Sequence, residues 1–216
     1  MSQKNSKTVD EAITQRRTTK VLAEVDLPLG GHVPMDELLA LAGMAPFHRA
    51  CDESHRGLNR NDGLLGIEPW RFYVADAARC RRLRQQIATE NAGNIPKMLA
   101  SADALVLATW LPNPGQAALA EGQLFEPTLA NMEHIAAASA AIQNLLVAAT
   151  ARGIENYWSS GGVLRETPVF ELLGISPQEI LLGAVFFFPQ ATHGAEVVGS
   201  KLRPHRTAAS QWSRSL

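Results

Sequence analysis

The sequence predicts an α+β protein folded as one domain over residues 1–216, and three observations carry that reading. Ile180 to Phe188 is a continuous rather than alternating apolar run, the pattern of a strand buried on both faces. Thr128 to Arg152 is a long, alanine-rich stretch with apolar residues at helical spacing. The chain's 216 residues, 46% of them hydrophobic, supply one good-sized core, whereas two domains would each be small.

The elements follow in order. Thr8 to Gln15 reads as a short helix, with Asp10 and Glu11 favouring its positively polarised N-terminal end. After the basic segment Arg16 to Lys20 comes a Pro/Gly stretch from Pro28 to Gly31. Pro34 then opens a helix through Met44, with Leu38, Leu41 and Ala42 at helical spacing. Ala45 to Glu68 is polar, glycine-dotted and without periodicity; a structureless stretch of that length inside a compact domain is usually functional or mobile. Trp70 to Ala75 reads as a strand, Asp76 to Thr89 as an exposed arginine-rich helix, Ala104 to Trp110 as a strand and Leu111 to Glu126 as a long loop.

The helix from Thr128 to Arg152 places Ile135, Ile142, Leu145, Leu146 and Ala149 on one stripe, with alanines over much of the rest. A helix apolar nearly all round belongs inside a domain or between subunits, and its small side chains favour a subunit interface. Gly153 is placed to end it with a left-handed cap. A short segment Ile154 to Trp158, a turn at Ser159 to Gly162, a helix from Thr167 to Leu173 closed by Gly174, and the Ile180 strand complete the pattern. The C-terminal tail is polar and basic.

Composition removes several function classes. A formal net charge of -1 gives no global case for nucleic acid or an anionic membrane. Two cysteines, Cys51 and Cys80, suit a reducing compartment. Met1 to Asp10 lacks the apolar core of a secretory signal. Ser139, Gln143, Asn144 and Thr150 interrupt the apolar stretch Ile135 to Ala151, where a bilayer span needs about 20 mostly apolar residues. A cytoplasmic protein is expected. The histidines and cysteines do not fall at metal-ligand spacing, so no metal is expected. The chain also lacks a Walker loop, a Gly-x-Gly-x-x-Gly turn and a Gly-x-Ser-x-Gly elbow.

Two basic clusters remain. Arg16, Arg17, Thr18 and Lys20 bring guanidinium forks, an ammonium and a hydroxyl to a helix end, a donor set matched to phosphate. Lys201 and Arg203 form a second cluster near the other end of the chain. A solvated basic turn is the plainer account of either one.

The order of Arg16-Arg17-Thr18-Thr19-Lys20, Ala45-Pro46, Glu68-Pro69-Trp70-Arg71-Phe72, the apolar helix ending near Gly153, Trp158-Ser159-Ser160-Gly161 and Lys201/Arg203 resembles the nitroreductase family. The likeness runs from about Val9 to Arg203 and has its closest counterpart in the small-nitroreductase branch. It implies a central mixed or antiparallel sheet flanked by helices, with the long central helix at a homodimer interface. It also implies FMN as cofactor, NADH or NADPH as reductant, and a ping-pong transfer through flavin N5 to a nitroaromatic, a quinone or a similar small-molecule acceptor. No side chain need act as a catalytic nucleophile.

On that resemblance Arg16, Arg17, Thr18, Lys20, Lys201 and Arg203 hold the FMN phosphate, and Asn94 and Lys97 face the pyrimidine edge of the flavin. A helix N-cap is the plain alternative for Asn94, and a surface lysine for Lys97. Pro69 and Trp70 join the cofactor set, as does the turn Trp158, Ser159, Ser160, Gly161 and Gly162, which brings backbone N–H toward N5; an ordinary Ser/Gly loop is its alternative. Ala45-Pro46-Phe47-His48 puts His48 near the substrate pocket, though a lone loop histidine is commonly just solvated.

The chain departs from relatives between Pro46 and Pro69, where the separation is much longer than usual and Glu68 replaces the usual Gln. Residues 46–68 form an insertion carrying Cys51, Asp52, His55, Arg56 and Arg60, placed to cap the flavin, line the substrate pocket or cover the subunit seam. Other readings stay open: a flavin-fragmenting enzyme of the same superfamily, a non-catalytic flavin-binding protein, or a phosphate-binding protein without flavin.

Overall fold

The computed structural model describes residues 8–29, 31–56, 65–87, 91–115 and 118–216. Arg60, the end of the arginine-rich helix at residues 88–89 and most of the polar N-terminus lie outside the described residues. The chain runs α1 (Val9–Gln15), β1 (Thr19–Leu22), α2 (Met35–Ala42), β2 (Trp70–Asp76), α3 (Ala77–Ile87), α4 (Ile95–Ser101) and β3 (Ala104–Trp110). It continues through α5 (Leu129–Ala151), β4 (Glu155–Ser159), α6 (Thr167–Leu173), β5 (Ile180–Phe188) and β6 (Glu196–Gly199).

Alternation along the central strands builds the core. β3 and β5 pair in the middle of an antiparallel sheet ordered β2-β3-β5-β4. Successive side chains of a strand point to opposite faces. Leu105, Leu107, Phe186 and Phe188 accordingly pack with α3, α4 and α6, while Val106, Ala108, Val185 and Phe187 pack with α2 and α5. Both faces are covered, which is why the β5 run shows no polar alternation. The mixed-or-antiparallel expectation resolves to antiparallel throughout.

Local chemistry sets the helix ends. Thr8 and Glu11 close a capping box on α1, the Thr8 N–H donating to the Glu11 carboxylate at 2.8 Å. Thr128 caps α5 by accepting from the Asn131 N–H at 3.2 Å, and Gly153 ends that helix at φ +72°, the left-handed stop its glycine implies. Gly174 closes α6 in the same way at φ +70°.

One expectation changes, and three elements go beyond the sequence reading. The buried face of α5 runs through His134, Ala137, Ala138, Ala141, Ile142, Leu145, Leu146 and Ala149, and Ile135 lies half-buried beside it rather than on it. The segment after Gly153 is the edge strand β4. The residues before Ala102 form α4. The basic tail is preceded by β6, which pairs with β1 (Thr19 opposite Gly199) in a separate two-stranded antiparallel sheet. By length and composition α5 is apolar enough to cross a bilayer, but half of that window is buried against the sheet and α2, the pattern of a core helix.

Candidate functional site

The β1 strand brings three distant segments together. It lies along α4: the Ala23 N–H donates to the Lys97 carbonyl at 3.2 Å, and the Ser101 hydroxyl donates to the Val21 carbonyl at 2.6 Å. On its other side the Thr19 hydroxyl donates to the Glu155 carboxylate of β4 at 2.5 Å, and the Lys20 ammonium stands 4.8 Å from the Tyr157 ring centroid. A Cβ added at Gly162 would lie 3.3 Å from Ile95 Cγ1, so the turn after β4 abuts the start of α4. Arg16 to Lys20, Asn94 to Lys97 and Trp158 to Gly162 therefore border one shelf.

At the α1 end of this shelf the two basic clusters meet. The Arg203 guanidinium donates to the carbonyls of Thr14 at 2.7 Å and Arg16 at 2.6 Å, groups left without helical partners where α1 stops. Arg16 loses some basicity through burial and through the neighbouring positive charges of Arg206 and Arg203. It has no acidic partner among the described residues, so a compensating anion would relieve three crowded cations. Arg17 faces Glu155 at 3.8 Å instead, and Lys201 is exposed. Arg206 is the member that sequence reading missed; its signal was the basic tail itself.

Asn94 stands at the N-cap position of α4, yet its side chain makes no capping bond, so its exposed amide remains available at the shelf. Lys97 is paired to Glu24 at 2.6 Å, which raises its pKa. The turn after β4 is held rigidly: Arg165 donates from Nε to the Ser160 carbonyl and from a terminal nitrogen to the Leu181 carbonyl at 2.6 Å. Gly161, at φ +106°, gives its N–H to the Ser159 hydroxyl at 3.1 Å, while Ser160 and Gly162 are exposed. The Trp158 indole N–H reaches the Leu182 carbonyl at 3.4 Å, directly over Gly183.

Pro69, Trp70 and His48 are not on this shelf. Trp70 begins β2, three strand spacings across the sheet from β4, about 14 Å at the usual separation. It is buried against Ala45, Ala137, Ala138 and Ala141, with Phe47 edge-on at 5.6 Å; His48 is exposed beside it. Within one chain these residues form a second locus at the same end of the sheet.

A buried polar network underlies that locus. The Glu179 carboxylate accepts from Arg71 at 2.8 Å, from the Tyr73 hydroxyl at 2.7 Å and from the Thr109 hydroxyl at 2.5 Å. Burial and the Glu179 charge push the Tyr73 pKa up. Arg71 donates its other terminal nitrogen to the His55 carbonyl at 2.6 Å and so bolts the insertion onto the sheet. Nothing in the sequence separated Tyr73, Thr109 and Glu179 from ordinary polar residues in or beside strands.

The family model for the nitroreductase family matches residues 64–187, more than half of the chain. This chain belongs to the nitroreductase family. Among solved structures, a nitroreductase-like family protein from Bacillus cereus matches this nitroreductase-family chain at 20% identity and TM-score 0.62, covering 100% of this chain and 99% of that one. A nitroreductase with bound FMN from Bacteroides fragilis matches at 17% identity and TM-score 0.53, covering 98% and 100%. CLA-ER, an enone reductase of gut-bacterial fatty acid saturation, matches at 15% identity and TM-score 0.62, covering 98% and 99%. A search of curated proteins gives no match. At these identities the structures establish the fold.

Proposed function

We propose that the protein is an FMN-dependent oxidoreductase that takes reducing equivalents from NADH or NADPH and delivers them to a nitroaromatic, a quinone or a related electron-poor acceptor. The observation that carries this is the meeting of Arg16 to Lys20, Asn94 to Lys97 and Trp158 to Gly162 on one shelf, with Arg203 closing its cationic end. Family membership and the FMN held by the Bacteroides fragilis relative support it.

The donor set fits the cofactor's shape. Arg16, Thr18, Arg203 and Arg206 would hold the phosphate, since the crowded guanidinium groups gain most from a dianion. Lys20 would take up the polar tail, and the Asn94 amide and Lys97 charge the pyrimidine edge. The turn at Ser160 to Gly162 would lie against the ring, where Arg165 keeps the backbone from moving. Bound FMN would supply the two-electron redox chemistry, leaving the chain to position reactants, exclude water and place positive charge beside the electron-rich edge of the ring.

The shelf is open, and one chain leaves Pro69, Trp70 and His48 far from it. A homodimer in which α5 meets its copy closes the shelf with those residues. The apolar Leu129 and Met132, 61% and 52% exposed, lie on the uncovered side of α5 and suit such a contact.

An absorbance spectrum of the purified protein, before and after anaerobic NADH or NADPH, tests the reading. A flavin band near ~450 nm that bleaches with reductant is the expected result. A flavin band that persists would mean a binding protein, and a colourless protein that takes up no FMN would overturn the proposal.

A further inference from the structure

The insertion is closed at its base. The Cys51 N–H donates to the Ile67 carbonyl at 2.9 Å, Asp52 caps the helical turn Glu53–His55 by accepting from the Ser54 N–H at 2.9 Å, and Arg71 grips the His55 carbonyl. Arg49 pairs with Glu133 of α5 at 2.7 Å and ties down its leading arm. This part of the insertion is a fixed wall.

Two cavities meet on that wall. One, of about 280 Å³, lies among Glu68, Pro69, Trp70, Arg71 and Leu111. The other, of about 380 Å³, is lined by Leu111, Pro112, Leu119, Leu124 and Phe125 of the loop after β3. His55 and Leu111 line both, so the two cavities adjoin as a cleft whose parts are each near the size of small-molecule sites. Ser54, Asn113, Glu126 and Gln178 stand among the apolar side chains of the second cavity. His55 is only 5% exposed, and its Nδ1 has no hydrogen-bond partner among the described residues. A buried ring nitrogen without a partner is costly unless something else satisfies it.

We propose that this cleft is the acceptor site, and that His55 is the specificity-determining residue, hydrogen-bonding an oxygen of a largely apolar, ring-bearing or acyl acceptor. The inference rests on the flavin oxidoreductase reading, dimer included: Pro69 and Trp70 form the inner wall of the cleft, so a flavin placed against them by the partner subunit faces the acceptor. Burial lowers the His55 pKa and keeps the ring neutral near pH 7, able to donate from one nitrogen. Arg71 and Glu179 act as positioning residues, since they hold the His55 backbone.

The test compares wild type, His55→Gln, His55→Ala and Leu124→Trp, with menadione as the bulky apolar acceptor and ferricyanide as a small polar one. Leu124 is 69% exposed at the mouth of the cleft, so tryptophan there fills the cleft without touching the core. The expected result is a menadione KM raised about five- to tenfold in His55→Ala, the order of one lost hydrogen bond, with partial rescue in His55→Gln. Leu124→Trp should raise it as well. Flavin content should match wild type in all three, and the rise in KM should be larger for menadione than for ferricyanide. An unchanged menadione KM in flavin-loaded Leu124→Trp and His55→Ala overturns the proposal. Wild-type protein that binds no flavin instead overturns the reading beneath it.

Discussion

The guanidinium of Arg203 donates to the carbonyl oxygen of Arg16 at 2.6 Å, joining two cationic segments from opposite ends of the chain. Its other arm reaches Thr14, so one side chain caps α1 and carries charge to the shelf. Replacing Arg203 with Ala should therefore have two separable effects. Without FMN, thermal or urea unfolding should show a loss of about 1 kcal/mol for exposed charge-assisted bonds. The stabilisation on adding FMN, which reaches roughly 2.7 kcal/mol at 100 times Kd for wild type, should shrink at the same FMN concentration. Arg203→Lys keeps the charge but not the fork, and should fall between the two. If Arg203→Ala binds FMN as tightly as wild type, the cationic end is only a helix cap.

The Arg71–Glu179 pair tests the buried network. Its Glu179 side chain is 0% exposed, and every bond to it comes from β2 or β3. Glu179→Ala would leave Arg71 charged and unpaired, a loss of roughly 3–5 kcal/mol. Glu179→Gln should cost less, because two of three donors keep an acceptor. Urea unfolding midpoints measure both, and a loss under 1 kcal/mol for Glu179→Ala would show that the pair contributes little.

Much of this fold was legible in short-range pattern. Ala104 to Trp110, Thr167 to Leu173 and Ile180 to Phe188 fall where they were predicted, because a continuous apolar run or a glycine stop marks each boundary. The strands β1 and β6 were not legible: each has four residues, and each becomes a strand only through the other. Likewise α4 spans seven residues with a proline in its first turn, too short for periodicity to register. For the site, residue types pointed to Arg16 and Arg203 separately, but their meeting depends on β1 pairing with β6 beside α1. The spacing of about 14 Å across the sheet between β2, which Trp70 opens, and β4 is a property of strand order, which no local motif encodes.

Two kinds of buried titratable group give opposite pH dependences. Burial lowers the pKa of His55 and of His134, which lies beside the backbone of Arg49 and Ala50. The unfolded chain then binds more protons near the ordinary histidine value, so stability is present above that value and lost as pH falls through it. Asp103 is the reverse: burial raises its pKa against the opposing pull of Arg81. The folded state then holds the proton more firmly, and stability falls as pH rises from the ordinary aspartate value through the raised one. Asp103→Asn keeps an acceptor for the Gly31 N–H, so it should raise Tm at pH 7 and lose that advantage as pH drops toward 4. An equal Tm gain at both pH values would sink the assignment.

Gly161 and Gly183 separate packing from ligand contact at the turn. A Cβ at Gly161 would sit 2.5 Å from Leu181 Cδ2, at a φ of +106° that L residues rarely adopt. One at Gly183 would run into the Trp158 indole. Both alanine variants should lose about 1–3 kcal/mol by strain or overpacking. Only Gly161→Ala should also change the flavin spectrum, because it moves the backbone that would lie against the ring. Identical spectra in the two variants would place the ring elsewhere.

The proposed dimer is tested most directly on α5. Met132 is 52% exposed, and Ala136, one helical turn along, is exposed on the same side, while His134 and Ala137 face inward. A carboxylate at Met132 or Ala136 costs almost nothing in an isolated chain, since surface substitutions stay within about 0.5 kcal/mol. Across a two-fold contact each substitution acts twice and buries unpaired charge, a cost of several kcal/mol. Met132→Glu and Ala136→Asp should therefore move the mass by light scattering from twice 23.4 kDa to 23.4 kDa, while circular dichroism stays unchanged. On the proposed dimer FMN affinity should fall with the mass, because Pro69 and Trp70 would reach the shelf from a second copy. A monomeric wild type that holds FMN at full affinity would refute the shared site. A dimer indifferent to both substitutions would move the interface away from α5.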